Sequence, residues 1–217
     1  MFTGLIETIG EVVRAERRAE GLRLGVDLGP AAEGVRPGDS INLSGACQTV
    51  VRLAGTQAEF DAVAETLART TLSEWRVGRR INVERSLRAG DRLGGHFVTG
   101  HVDAAGRVVE NRRGAGGWRL AVEAPAERFA EIAAKGSIAV DGVSLTVVEA
   151  AAPVFSVAII PITLRETTLV ALVPGDRVNL ETDILAKYVR RATAAVTGSE
   201  ADDGRLLETL RHAGFLD

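Results

Sequence analysis

Ser40-Ile41-Asn42-Leu43-Ser44-Gly45-Ala46-Cys47-Gln48-Thr49-Val50-Val51 decides the fold, because the chain repeats it 97 residues later as Ser137-Ile138-Ala139-Val140-Asp141-Gly142-Val143-Ser144-Leu145-Thr146-Val147-Val148. Working outward, Thr3-Gly4-Leu5-Ile6-Glu7 returns as Thr99-Gly100-His101-Val102-Asp103 at an offset of 96, and both run on to Gly-x-Val-Val. Thr66-Leu67 and Thr70-Thr71-Leu72 return as Thr163-Leu164 and Thr167-Thr168-Leu169, and Gly78, Asn82 and Glu84 as Gly175, Asn179 and Glu181. Blocks recurring in the same order at one spacing are the mark of a tandem duplication.

Each half reads as β structure. Short β-branched runs, Ser137 to Val148 and Arg177 to Glu181 among them, alternate with turn signals at Pro37-Gly38-Asp39, Ala89-Gly90-Asp91 and Pro174-Gly175-Asp176. Twenty-four glycines in 217 residues suit many tight turns. Short antiparallel strands in a small repeat must close or stack to hide their edges, which predicts a barrel rather than an open sheet. Helical interruptions are expected at Ala62–Leu72, Glu127–Lys135 and Thr163–Leu169. Past Asp183 the periodicity changes: Ile184, Leu185, Tyr188, Val189, Ala192 and Val196 fall at helical spacing, Thr197-Gly198-Ser199 breaks it, and Leu206, Leu207, Leu210 and Phe215 predict a second short helix ending at Gly214. The expected units are 1–93, 94–183 and a helical tail over 184–217. The tail's apolar stripe can pack on its own barrel or meet another subunit.

Composition narrows the function classes. The net charge of −3 gives no electrostatic case for nucleic acid or an anionic membrane. No segment approaches the ~18 apolar residues of a membrane span, and Met1-Phe2-Thr3-Gly4-Leu5-Ile6-Glu7 lacks the basic lead and apolar run of a signal peptide. Cytoplasm is the expectation. The single cysteine, Cys47, excludes an internal disulfide and a cysteine-rich zinc site.

Cys47 and Thr49, with their counterparts Ser144 and Thr146, carry the chemical signal. Residues i and i+2 of a strand share a face, so each half projects a nucleophile-type side chain and a hydroxyl together, just after Gly45 or Gly142. An isolated cysteine is more often a small buried hydrophobe; the repetition brings a functional reading level with that one. His96 and His101, in Gly94-Gly95-His96-Phe97-Val98-Thr99-Gly100-His101, offer proton transfer or ligand hydrogen bonding, or are exposed residues of a glycine-rich turn. With only His212 besides them, a metal site is not expected. Lys135, Asp183 and Glu65 read individually as solvated charges. Gly114-Ala115-Gly116-Gly117 lacks the Lys-Ser/Thr of a phosphate loop and reads as a hairpin tip. Twin sites suit a reaction between two identical small molecules, since holding them in mutual orientation removes much of the entropic barrier.

The residues also resemble a known family. Met1 to Glu7, Gly94 to Asp103, Asp141-Gly142-Val143-Ser144-Leu145-Thr146-Val147, Ile160-Pro161 with Thr163-Leu164, and Thr167-Thr168-Leu169 are together similar to the alpha-type riboflavin synthases, over about residues 1–190. The resemblance implies an all-β fold with a C-terminal helix, made of two tandem six-stranded Greek-key barrels that each hold one 6,7-dimethyl-8-ribityllumazine. It also implies a homotrimer joined through that helix, an active site between the N-terminal barrel of one subunit and the C-terminal barrel of another, four-carbon transfer from one lumazine to the other, no cofactor or metal, and a possible link to lumazine synthase.

Carried over by position, Gly4, Leu5, Ile6, Cys47, Gln48, Thr49 and Asp61-Ala62-Val63-Ala64-Glu65-Thr66 line the N-terminal pocket. Gly100, His101, Val102, Lys135, Ser144, Leu145, Thr146 and Ala158-Ile159-Ile160-Pro161-Ile162-Thr163 line the C-terminal one. Phe2, Ser40, Cys47, His101, Ser144, Thr146 and Asp183 fall at positions implicated in turnover, with His101, Thr146 and Ser144 assigned to proton handling and Cys47 to activation of the acceptor. Ile162 departs from the glutamate usual in the family, whereas its counterpart Glu65 is intact, so weaker lumazine binding is expected in the C-terminal pocket. The rival readings are a non-catalytic lumazine-binding protein of the same fold, a flavin reductase barrel, for which a nicotinamide domain is missing, and a purely structural double barrel.

Overall fold

The computed structural model describes residues 1–114, 117–194 and 211. The first barrel consists of β1 (Thr8–Arg18), β2 (Gly21–Asp27), β3 (Ser40–Leu43), β4 (Ala46–Ala54), β5 (Gln57–Val63) and β6 (Arg80–Arg85). The second consists of β7 (Ala104–Gly114), β8 (Gly117–Glu123), β9 (Ser137–Val140), β10 (Val143–Ala151), β11 (Val154–Ile159) and β12 (Arg177–Thr182). Both are closed and antiparallel, with the order β1-β2-β5-β4-β3-β6 in the first and its equivalent, β7-β8-β11-β10-β9-β12, in the second. Closure pairs every edge strand. Both copies bulge at the same places: Val12/Arg14 and Val108/Glu110 against the second strand, and Val50/Arg52 and Val147/Glu149 against the fifth. Such bulges bend a strand around a small barrel.

Alternation along each strand fills two separate cores. Ala46, Gln48 and Val50 of β4 are buried while Thr49 is exposed, and Val143, Leu145 and Val147 of β10 are buried while Thr146 is exposed. Val12, Leu24, Val26, Ile41, Phe60 and Ile81 centre the first core; Val108, Leu120, Val122, Ile138, Phe155 and Val178 occupy the equivalent places in the second. The thiol and hydroxyl faces therefore point out of the barrels, not into their interiors.

The helical interruptions are shorter than expected. They are α1 (Ala64–Arg69), α2 (Ala126–Phe129) and α3 (Pro161–Glu166), with 3-10 turns at Thr71–Glu74 and Thr168–Ala171. Ala62 and Val63 finish β5 instead, because their pairing with Leu22 and Gly21 continues the ladder. α2 ends early because Ile132 turns into the core and Lys135 takes a left-handed φ of 69° before β9.

Residues Met1–Asp183 form one compact unit, and Ile184–Asp217 a second. Inside the first unit the barrels meet across a pseudo-symmetric seam. The Asn82 amide nitrogen donates to Asp141 O (2.9 Å), and its oxygen accepts from Thr168 N (2.8 Å). Asn179 does the same in the other direction, donating to Ser44 O (2.8 Å) and accepting from Thr71 N (2.8 Å). The second unit contains a helix over residues 184–194, on which Leu185, Tyr188 and Val189 are exposed. The second short tail helix, the break at Thr197–Ser199, His212 and the hairpin tip at Ala115-Gly116 lie outside the described residues. Among the described residues no helix is long and apolar enough to cross a membrane.

Candidate active site

The lead segment of each repeat hangs from its own barrel and reaches across to the other. Thr3 donates from its amide and its hydroxyl to one oxygen of Glu84 (2.7 and 2.6 Å), and Gly4 N to the other (3.1 Å). Thr99 and Gly100 hang from Glu181 in the same way (2.6, 2.7 and 2.9 Å). Phe2 and Val98 exchange backbone bonds of 2.7 and 3.1 Å, tying the two segments together. Beyond this bridge each chain meets the opposite barrel: Ser144 N donates to Gly4 O, and Cys47 N to Gly100 O, both at 2.8 Å. Ile6 packs on the second core and Val102 on the first.

This crossing regroups the expected pocket residues. Gly4 pairs with Ser144 and Ile6 packs on the second barrel, whereas Gly100, His101 and Val102 lie beside Cys47. Position in the repeat hid the exchange, since each segment is anchored on its own barrel while its glycine carbonyl pairs with the other.

A cavity of about 390 Å³ opens over β4, walled by Cys47 and Gln48, by Glu65, Thr66 and Arg69 of α1, and by Gly100, His101, Val102 and Asp103. Cys47 is half-buried, and Gln48 Nε2 donates to its carbonyl (2.7 Å). A methyl group on Gly100 would lie 2.5 Å from Cys47 Cβ, and at a φ of 78° the backbone there is left-handed; only glycine brings the segment this close.

The equivalent surface of the second barrel is capped differently. His96 Nδ1 lies 2.7 Å from Ser144 Oγ, His96 is only 8% exposed, and its Nε2 is buried with no hydrogen-bond partner. Burial pulls the imidazole pKa below its ordinary value against the opposing pull of the Asp183 carboxylate, so the ring is held neutral and able to accept a proton. The sequence pattern around His96 allows either a proton-transfer role or an exposed place in a glycine-rich turn. Its burial depends on Gly95, where a methyl would strike Thr3 O, a contact that no local pattern reveals.

Other expected residues stand apart. Ser40 lines a separate cavity of about 700 Å³ with Thr3, Leu5, Arg36, Arg85 and Arg88. Phe2 is fully buried with Val98 and Ala139, where it braces the crossing beside Cys47. Asp61 is engaged by Arg23 at 2.6 Å. Ala62, Leu145 and Ile159 are buried core side chains that can offer only backbone to a ligand. Lys135 is exposed, its amide donating to Val147 O, and it is not among the walls of the Cys47 cavity. Among the described residues no group of His, Cys, Asp and Glu is placed to hold a metal.

Two equivalent barrels, each crossed by the other's lead segment beside a Cys/Ser-x-Thr strand, define a duplicated small-molecule-binding protein, and the lumazine binding domain model matches the chain twice, at residues 3–86 and 99–183. Riboflavin synthase of Brucella abortus (strain 2308) is 44% identical over 196 residues, covering 88% of this chain and 97% of that protein. The riboflavin synthase of Photobacterium phosphoreum is 34% identical over 217 residues, covering all of both chains. The structure of LumP complexed with riboflavin superposes with a TM-score of 0.77 at 26% identity, over 84% of this chain and 99% of that one. The chain belongs to the riboflavin synthase family.

Proposed function

We propose that the protein dismutates two molecules of 6,7-dimethyl-8-ribityllumazine to riboflavin and 5-amino-6-(D-ribitylamino)uracil by transfer of a four-carbon unit, as a transferase. The observation that carries this reading is the twice-built outer face, in which Cys47-x-Thr49 and Ser144-x-Thr146 each lie beside the lead segment of the opposite repeat. Each barrel, residues 1–93 and 94–183, holds one lumazine.

Both substrates are the same compound, so the sites must differ for one to donate and the other to accept. They do differ in the groups that reach the face. At the second site the neutral His96, bonded to Ser144, is suited to draw a proton through the serine hydroxyl from the acidic 7-methyl group of the donor. At the first, the half-buried Cys47 borders an open cavity with His101 beside it, suited to activating the acceptor ring. Proton handling therefore moves from His101 to the His96–Ser144 pair, while His101 serves the Cys47 side. Because the four carbons lost by one lumazine are gained by the other, the reaction needs no external oxidant or reductant.

Three copies joined through the exposed Leu185, Tyr188 and Val189 of the tail helix would bring a first-barrel site of one copy to a second-barrel site of another. A cytoplasmic location and docking with lumazine synthase complete the reading. The test is to mix the purified protein with dimethylribityllumazine and follow riboflavin absorbance and fluorescence. An enzyme forms one riboflavin per two lumazines consumed, and Cys47→Ala lowers turnover by about 10²-fold or more. A single spectral shift without product would instead identify a binding protein.

A further inference from the structure

The two repeats differ in charge on one helical face, which in the first repeat borders the Cys47 cavity. Glu65, Thr66 and Arg69 of α1 all wall the Cys47 cavity, and Glu65 is held by Arg69 at 2.9 Å, one turn along the same helix. α3 is built alike. Each helix is closed by a threonine hydroxyl donating back to the carbonyl four residues earlier, Thr70 to Thr66 (2.7 Å) and Thr167 to Thr163 (2.6 Å). At the offset of 97 residues, the counterparts of Glu65 and Arg69 are Ile162 and Glu166. Where the first repeat carries an acid followed by a base, the second carries an apolar residue followed by an acid.

We infer that Glu166 supplies to the second lumazine site the carboxylate that Ile162 cannot, accepting hydrogen bonds from the hydroxyl or N–H donors of the bound ribityl-heterocycle. Positions four apart share a helical face. Helical side chains also lean toward the N-terminus, so the surface above Ile162 lies within the sweep of a longer side chain one turn, about 5.4 Å, further on. Ile162 and Glu166 are both substantially exposed, so this face is free to meet a ligand. Arg165 Nε holds one carboxylate oxygen of Glu166 at 2.7 Å, which orients the group and leaves the second oxygen to accept. In the first repeat the acid is neutralised from position 69 itself; in the second that position is the acid, so the pair presents its acceptor one turn later.

The inference rests on the proposed lumazine sites, and the experiment separates the two. Dimethylribityllumazine is titrated into the full chain and its two affinities are resolved, for the unaltered protein and for Glu65→Gln, Glu166→Gln, Ile162→Glu and Ile162→Glu/Glu166→Gln, with circular dichroism as the check on folding. Glu166→Gln is expected to weaken one affinity by about tenfold, Glu65→Gln the other, and the double variant to regain most of the loss. Ile162→Glu alone changes binding by less than about threefold, because the acceptor is already present. Glu166→Gln binding as tightly as the unaltered chain while Glu65→Gln weakens overturns the inference but leaves the lumazine sites standing. So does a loss that Ile162→Glu fails to rescue. An unaltered chain that takes up no lumazine overturns both.

Discussion

Gly100→Ala tests whether the close approach of the crossing segment to Cys47 governs catalysis. The new methyl would start 2.5 Å from Cys47 Cβ, 2.9 Å from Cys47 N and 2.9 Å from Phe2 Cε2. Ordinary carbon contacts lie at about 3.5–4.0 Å, so segment and strand must part by about 1 Å. The φ of 78° adds about 1–2 kcal/mol for a residue bearing a Cβ, and the forced repacking adds about 1–3 kcal/mol. Denaturant unfolding should therefore show a loss of about 2–5 kcal/mol. Turnover should fall further than stability explains, by about 10²-fold under conditions where the variant is fully folded, because an ångström of misplacement at reacting groups costs that much. Gly55→Ala is the control: its φ is 61°, but nothing lies within 4 Å of the added methyl. It should lose only that backbone cost, about 1–2 kcal/mol, and keep its turnover. Riboflavin formation by Gly100→Ala within threefold of the unaltered chain would refute the placement of the active face at this crossing.

Asn179→Ala removes the amide that spans the barrel seam and strands Ser44 O and Thr71 N, so unfolding free energy should drop by about 2–4 kcal/mol; a loss below 1 kcal/mol would mean that the seam is held elsewhere. Asp141 is wholly buried, and desolvation pushes its carboxyl up to about 7. Between the ordinary carboxyl range and that value the folded chain holds more protons than the unfolded one, so this group's contribution to stability is fully present at low pH and is lost as pH rises toward 7. Asp141→Asn should flatten that slope in urea unfolding followed from pH 5 to 8. His96→Gln should lower turnover by about 10²-fold while leaving lumazine uptake at the Cys47 cavity unchanged. Because burial depresses the His96 pKa, the unaltered enzyme should keep its activity to a pH below the usual imidazole range, which a pH–rate profile will show.

Much of the architecture was legible before any coordinates. The duplicated blocks forecast two like barrels because a repeated alternation of apolar and polar residues has one way to bury itself, and Val50 and Val147 duly point inward while Thr49 and Thr146 point out. That Cys47 shares a face with Thr49, and Ser144 with Thr146, was readable from the two-residue period; that this face points out of the barrel shows only in the burial of its neighbours Gln48 and Leu145. The partner of each face was not readable either. Gly4 and Gly100 sit at equivalent places in repeats that look self-contained, and only the backbone pairing of Phe2 with Val98 carries them past their own barrels. The same gap hid the burial of His96 and the sheltering of Phe2, both of which arise from contacts between residues tens of positions apart.

The order of residues by itself settled the duplication, the β character, the shared faces of Cys47 with Thr49 and of Ser144 with Thr146, and the change of periodicity after Asp183, since each is a matter of local period and spacing. Tertiary structure decided which lead segment serves which barrel, where the open cavity lies, and which imidazole stands beside the serine. Those are questions of long-range contact, fixed by Glu84 and Glu181 anchoring the crossing segments and by the seam that holds the barrels together. No periodicity along a chain encodes them.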